Sequence, residues 1–261
     1  MLTTIEKILF TLLALASAYA AYRAADRIIR ILRRGTGSLA IDHFGARLRT
    51  TINVFVTQRT VLKRRLWPSI AHAFIAWGFT YYLLANVGDG LQAFFPGFVF
   101  LGTDLIGNLY RLIADLLTVG VLVGMAAMLL RRWIKGRQIF GFNKNTLLHP
   151  KAAFGIKRDS LIVGSFILFH VGSRFLGESA HLAESGPDGW QPFASIVSGL
   201  WRGTSLDTIV LFQHIFFWFA LGSILLFMPY FLYSKHIHIF FAPLNFMLKP
   251  RRKSMGELSK I

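Results

Sequence analysis

Five apolar runs constrain this chain more than any motif in it. By length and scarcity of charge they cover about residues 5–25, 66–87, 105–130, 160–177 and 206–233. Within hydrocarbon every backbone N–H and C=O must find a partner inside the protein, so segments of this kind can only be helices. The chain therefore reads as an all-α membrane protein, a five-transmembrane-helix bundle over residues 1–248, followed by a tail or linker at 249–261. Composition agrees, since 54% of the 261 residues are hydrophobic and 25 are Phe, the signature of surfaces that meet lipid.

The formal charge of +17 raises the question of nucleic acid. That reading needs a basic face on a soluble fold, whereas here the basic residues lie between the apolar runs. Arg27, Arg30, Arg33, Arg34, Arg47, Arg49, Arg59, Lys63, Arg64 and Arg65 follow the first run. Arg131, Arg132, Lys135, Arg137, Lys144, Lys151, Lys157 and Arg158 follow the third, and Lys249, Arg251, Arg252 and Lys253 the fifth. Residues 88–104 carry no basic side chain and 178–205 only Arg202. The positive-inside bias then predicts an inner-membrane protein with its N-terminus outside and its C-terminus in the cytoplasm, and no nucleic-acid partner. Residues 15–20, Leu-Ala-Ser-Ala-Tyr-Ala, resemble a signal-peptide cleavage site. Cleavage there would leave the most basic segment on an exported N-terminus, so the first run is read as a span.

Between the first two spans, residues 42–63 are too polar to cross. Ile52, Phe55, Val56 and Leu62 fall near helical spacing, which predicts a helix on the cytoplasmic surface. Anchoring on anionic lipid and docking of a cytoplasmic redox partner both fit it.

Polar groups at membrane depth are costly and mark functional sites. His72 follows Pro68 by about one turn, about 8 Å inside the cytoplasmic boundary at 1.5 Å per residue. Gly78, further along, offers space beside the backbone for a flat macrocycle. His170 sits about 15 Å into the fourth span and His214 about 12 Å from the outer end of the fifth. These two match in depth and are expected to face each other across one iron. His72 and His214 lie in opposite leaflets, which leaves His236 and His238 as partners for His72. A regular helix places His236 about 40° around from His214 and His238 about 240°, favouring His236, although Pro229 can spoil that count.

Arg111 and Asp115 are four apart and are expected to neutralise each other near the outer boundary. Their sharper roles are a propionate contact for Arg111 and a quinol-proton relay for Asp115, with Arg174 as a further candidate cation. Phe193, Ile196, Val197, Leu200 and Trp201 recur at helical spacing in the outer loop. They fit either a headgroup anchor or a lid over a quinone pocket, with Glu178 and His181 as proton carriers. With no cysteine, the chain can supply neither a disulfide nor thiolate ligands to an iron–sulfur cluster. Any such cluster belongs to a partner.

The five spans, His72 early in the second, His214 in the fifth and the exit sequence Ser234-Lys-His-Ile-His-Ile-Phe-Phe-Ala-Pro-Leu-Asn245 together resemble the nitrate reductase gamma-subunit-like cytochrome b domain. The likeness is to the form found at the N-terminus of heterodisulfide-reductase-related iron–sulfur membrane oxidoreductases, among them enzymes linking electron transfer flavoprotein to menaquinone. It implies haem b, with His72 and His238 as the inner ligands and His236 as the substitute. It further implies a cytoplasmic iron–sulfur partner or fused domain, electron transfer flavoprotein as a candidate redox partner with either direction of electron flow open, and menaquinone as substrate. The chain departs from that pattern at Tyr82, where the family has a second span-two histidine. Either the outer haem is absent, or His170 replaces that ligand and shares an outer haem with His214; the depth match favours replacement.

Residues 256–261 look like the start of a linker to such a domain. The expected role is the membrane subunit or domain of a quinone-linked oxidoreductase, with no catalytic side chain of its own. The competing reading is a haem-free anchor or small transporter whose histidines are structural.

Overall fold

The computed structural model describes residues 2–36, 41–63, 65–139, 147 and 149–249, except the side chains of 135–139, 150, 152, 153 and 157. Arg64, Lys144, the basic residues 251–253 and the proposed linker lie outside the described residues, as do the side chains of Lys135, Arg137 and Lys157.

Helix α1 (Thr4–Leu32) opens with a capping box in which the Thr3 side chain accepts from the Glu6 N–H and the Glu6 carboxylate accepts from the Thr3 N–H. The surface segment becomes α2 (Phe44–Thr57) and α3 (Arg59–Leu62), broken at Gln58, whose φ of 50° is left-handed. The second span is α4 (Leu66–Phe94), the third α5 (Leu105–Ile139) and the fourth α6 (Pro150–Ser185). The outer-loop pattern forms α7 (Pro192–Ser198) and a 3-10 turn, Gly199–Trp201. The fifth span comprises α8 (Leu206–Phe217), a π-helical turn at Trp218–Gly222 and α9 (Ser223–Phe231). A 3-10 turn capped by Ser234 then leads into α10 (His238–Leu248).

Five helical segments are thus long and apolar enough to cross a membrane, and the protein is a multi-pass all-α bundle. In the most apolar stretch of α1 only 11% of residues are buried, and Ile5, Ile8, Leu9 and Leu12 point outward. An apolar surface of that extent is at home in lipid rather than water.

Small residues set the closest helix contacts, as expected where lipid removes the usual hydrophobic drive between helices. A Cβ at Gly78 would lie 2.1 Å from Val121 Cγ2, and one at Gly124 would lie 3.0 Å from the Ala71 carbonyl oxygen. Gly78 therefore admits α5, and the expected macrocycle beside it is corrected to a buried valine. Further in, Tyr82, Val163, Ile167 and Val171 join Phe227, whose ring stacks on Phe166 at 3.8 Å.

The first four spans run longer than their apolar cores suggest, because helical hydrogen bonding continues into the polar flanks. The fourth gains most, ending at Ser185 rather than near residue 177. The fifth is not one regular helix. Its π turn, internal Pro229 and stop at Phe231 remove the basis for the angular count that favoured His236.

Candidate functional site

Two groups of histidines occupy the two ends of the bundle. At the α10 end, the second turn of α4 presents His72, while the turn after α9 brings back His236 and His238. Asp159 on α6 pins that turn, accepting from Tyr230 Oη at 2.7 Å and from the Lys235 N–H at 3.2 Å.

The rings of His72 and His238 lie 6.4 Å apart, centroid to centroid, with 38° between their planes. A metal–imidazole bond is about 2 Å long and the ring centroid lies about 1 Å beyond the nitrogen, so two rings on opposite sides of one ion sit about 6 Å apart. The observed spacing fits that arrangement. His238 Nδ1 donates to the Lys235 carbonyl at 2.7 Å, which leaves its Nε2 lone pair for a ligand. His72 Nδ1 is buried without a hydrogen-bond partner. Such an orphan is expensive unless something else uses it.

His236 keeps neither ring nitrogen partnered and packs edge-on against Phe79 and Phe231. Burial, then the neighbouring His238, push it down to about 4. It is a neutral wall beside the pair. Among the described residues, no three or more His, Asp or Glu side chains converge on one point, so this is a pair with a neighbour and not a three-ligand cage.

At the α7 end lies a cavity of about 710 Å³, within the usual range for cofactor and ligand sites. Its walls include Asp89, Arg111, Arg174, Glu178, His181 and His214. Arg174 grips Asp89 through two hydrogen bonds of 2.6 and 2.9 Å, with its guanidinium 5.4 Å from the centre of the Tyr82 ring. Arg111 pairs with Asp188 at 2.9 Å and not with Asp115, so the expected i,i+4 neutralisation is corrected. Asp115 instead accepts the backbone N–H groups of Phe193 and Ala194 at 2.7 and 3.1 Å, holding the first turn of α7. Glu178 accepts from Gln191 Nε2 at 2.8 Å, and His181 is exposed beside it.

The two deep histidines are held by different partners. His214 Nδ1 donates to the Glu6 carboxylate, 2.9 Å from each oxygen, and Trp218 Nε1 donates to the same group at 3.2 Å. His170 Nδ1 donates to the Ala220 carbonyl at 3.0 Å, inside the π turn, and its Nε2 is buried without a partner. Phe166 stacks on the His170 ring and Tyr82 meets it edge-on.

The expected meeting of His170 and His214 is not what the geometry favours. Ala220 lies six residues beyond His214, about 9 Å at 1.5 Å per residue. Near His214 the facing residues on α6 are later ones: Gly177 lies against Phe216, and Gln213 reaches the Ala180 carbonyl. The depth match assumed that the fourth span ended near residue 177. Its continuation to Ser185 sets His170 deeper and brings His181 level with His214.

Glu6 and Asp89 escaped the sequence reading. Glu6 was legible only as the fourth residue of a Thr-x-x-Glu cap, and Asp89 fell in a stretch taken for loop that is the last two turns of α4. No protein-family model, curated protein or solved structure matches the chain.

Proposed function

We propose that this protein is a haem b electron-transfer subunit or domain, passing electrons between a cytoplasmic iron–sulfur partner and a menaquinone-type pool. The observation that carries the reading is the spacing of His72 and His238, two imidazoles 6.4 Å apart, one with a buried, unpartnered Nδ1 and the other with its Nδ1 held by a carbonyl. In this reading His72 and His238 hold the inner haem, and the Lys235 carbonyl fixes which nitrogen of His238 is offered. Phe79 and Phe231 stack on each other and pack edge-on against His236, the apolar-walled neighbour of the pair. The haem supplies reversible one-electron chemistry when bound.

A second haem belongs to the opposite end, with His214 as one ligand and His181, on the same cavity wall, as the other in place of His170. Arg111 and Arg174 are the cations there for acidic groups of a cofactor, each kept in place by an aspartate. Asp115 is committed to α7, which leaves Glu178 to hold or move protons at the cavity mouth once His181 serves as a ligand. Because the chain has no cysteine, the iron–sulfur clusters are supplied by a partner or fused domain, with electron transfer flavoprotein the candidate redox partner behind it.

The charge bias supports a cytoplasmic α10 end in a bacterial-type inner membrane, on the side of that partner. The test is the optical spectrum of the protein purified from membranes. A Soret band with a sharp α band on reduction is expected. A colourless protein, from haem-replete cells, would leave a haem-free anchor or transporter with structural histidines.

A further inference from the structure

Helix α1 is joined to the rest of the bundle by few polar ties, and one of them ends on His214. Ser17 Oγ donates to the Leu225 carbonyl and Lys7 Nζ to the Phe94 carbonyl; both are side chains latching onto backbone. Glu6 differs. Its carboxylate is the shared acceptor for an imidazole N–H and an indole N–H from the fifth span, while it also closes its own helix cap through Thr3.

We infer that Glu6 is a positioning residue for His214: it fixes the ring's orientation and tautomer so that Nε2, the nitrogen left with a lone pair, is the one available to a metal. This rests on the haem reading above, in which His214 is an outer ligand. The chemical reason is general. A metal-bound imidazole commonly donates its other N–H to a carboxylate or carbonyl, which locks the ring and makes it a stronger donor. A carboxylate partner does this more strongly than a carbonyl because its acceptor is charged. The inner His238 has a carbonyl and His214 has a carboxylate, so the two sites differ in ligand basicity by construction.

Trp218 has a defined part in this. Its indole N–H occupies Glu6 Oε1 at 3.2 Å and stands at the first residue of the π turn, so the carboxylate takes one donor from α8 and one from the start of the helix break. The first span then provides both a lipid-facing wall and the group that orients a ligand on the last span.

The experiment compares Glu6→Gln, Glu6→Ala, Thr3→Ala and His214→Ala, each measured for haem content, low-spin electron paramagnetic resonance and reductive titration. Glu6→Gln keeps a hydrogen-bond acceptor and loses the charge. It is expected to retain the outer haem with a more positive midpoint potential, because a less electron-rich imidazole favours the reduced iron. Glu6→Ala is expected to weaken retention of that haem about 10- to 100-fold, the usual cost of losing such a partner. Thr3→Ala removes the helix cap and the Thr3 Oγ1 hydrogen bond to Glu6 Oε2 but keeps the carboxylate and the Thr3 N–H that holds it, and is expected to retain the outer haem at wild-type content with its low-spin resonance.

If Thr3→Ala reproduces the Glu6→Ala loss, Glu6 acts through the cap and the inference is overturned. If His214→Ala removes a haem while both Glu6 variants match the wild type in content, resonance and potential, the inference fails alone. If His214→Ala itself removes nothing, the outer-haem reading fails, and the inference with it.

Discussion

His72 and His238 come from opposite ends of the sequence, yet their rings stand 6.4 Å apart at the end of the bundle where α4 begins and α10 begins. Neither α4 nor the fifth span alone places them so. The turn after Phe231, capped by Ser234 and pinned by Asp159, swings His238 back over the second turn of α4.

Replacing either member of that pair is therefore expected to remove the same haem. His72→Ala and His238→Ala should each lose one haem per chain and leave the other's spectrum in place. His236→Ala should keep both, with a loss of stability no larger than a few kcal/mol. Pyridine haemochrome content per protein decides it. Loss on His236→Ala alone would transfer the ligand role to His236.

At the other end the expected ligand pair is His214 with His181. His214→Ala and His181→Ala should lose the same haem, and His170→Ala should keep it, since His170 is hydrogen-bonded to Ala220 about 9 Å further along the fifth span. Comparison of residual α-band spectra among the three variants reads the result. Haem loss on His170→Ala with none on His181→Ala would restore the pairing expected from depth.

The pair Arg174 and Asp89 is expected to matter for stability before it matters for chemistry. Asp89→Asn leaves a largely buried guanidinium short of its counter-charge, in a site whose wall is the Tyr82 ring. Breaking a buried pair from one side costs about 3 kcal/mol or more, so the detergent-solubilised variant should unfold at markedly lower denaturant. An Asp89→Asn protein as stable as the wild type would show that the open side of the cavity already hydrates Arg174.

Orientation has its own check. A reporter active only outside the cytoplasm, fused after Ile261, should be silent, and one active only inside should report. The expectation follows from basic residues crowding one set of loops, 26–65 and 131–158. An active external reporter would put the α10 end outside and remove the docking side for an iron–sulfur partner.

The all-α membrane architecture was legible in the sequence because apolar length and basic loops are local properties, and hydrocarbon permits only helices for such runs. The surface helix and α7 were legible for the same reason, from spacing alone. His72, His214 and the exit histidines could be named as candidates because an imidazole within or beside an apolar run stands out without any knowledge of its neighbours. Which rings meet was another matter. A π turn, Pro229 and a helix that stops at Phe231 decide where His238 arrives, and the packing of α6 on the fifth span sets His170 against Ala220, six residues along from His214. Helix ends and breaks are set by the balance of capping, packing and backbone hydrogen bonds across the bundle, and that balance has no signature in apolar length. The same holds for Glu6, Asp89 and Asp115. Their carboxylates are defined by partners 208, 85 and 78 residues away, and only the packed bundle brings those donors within reach.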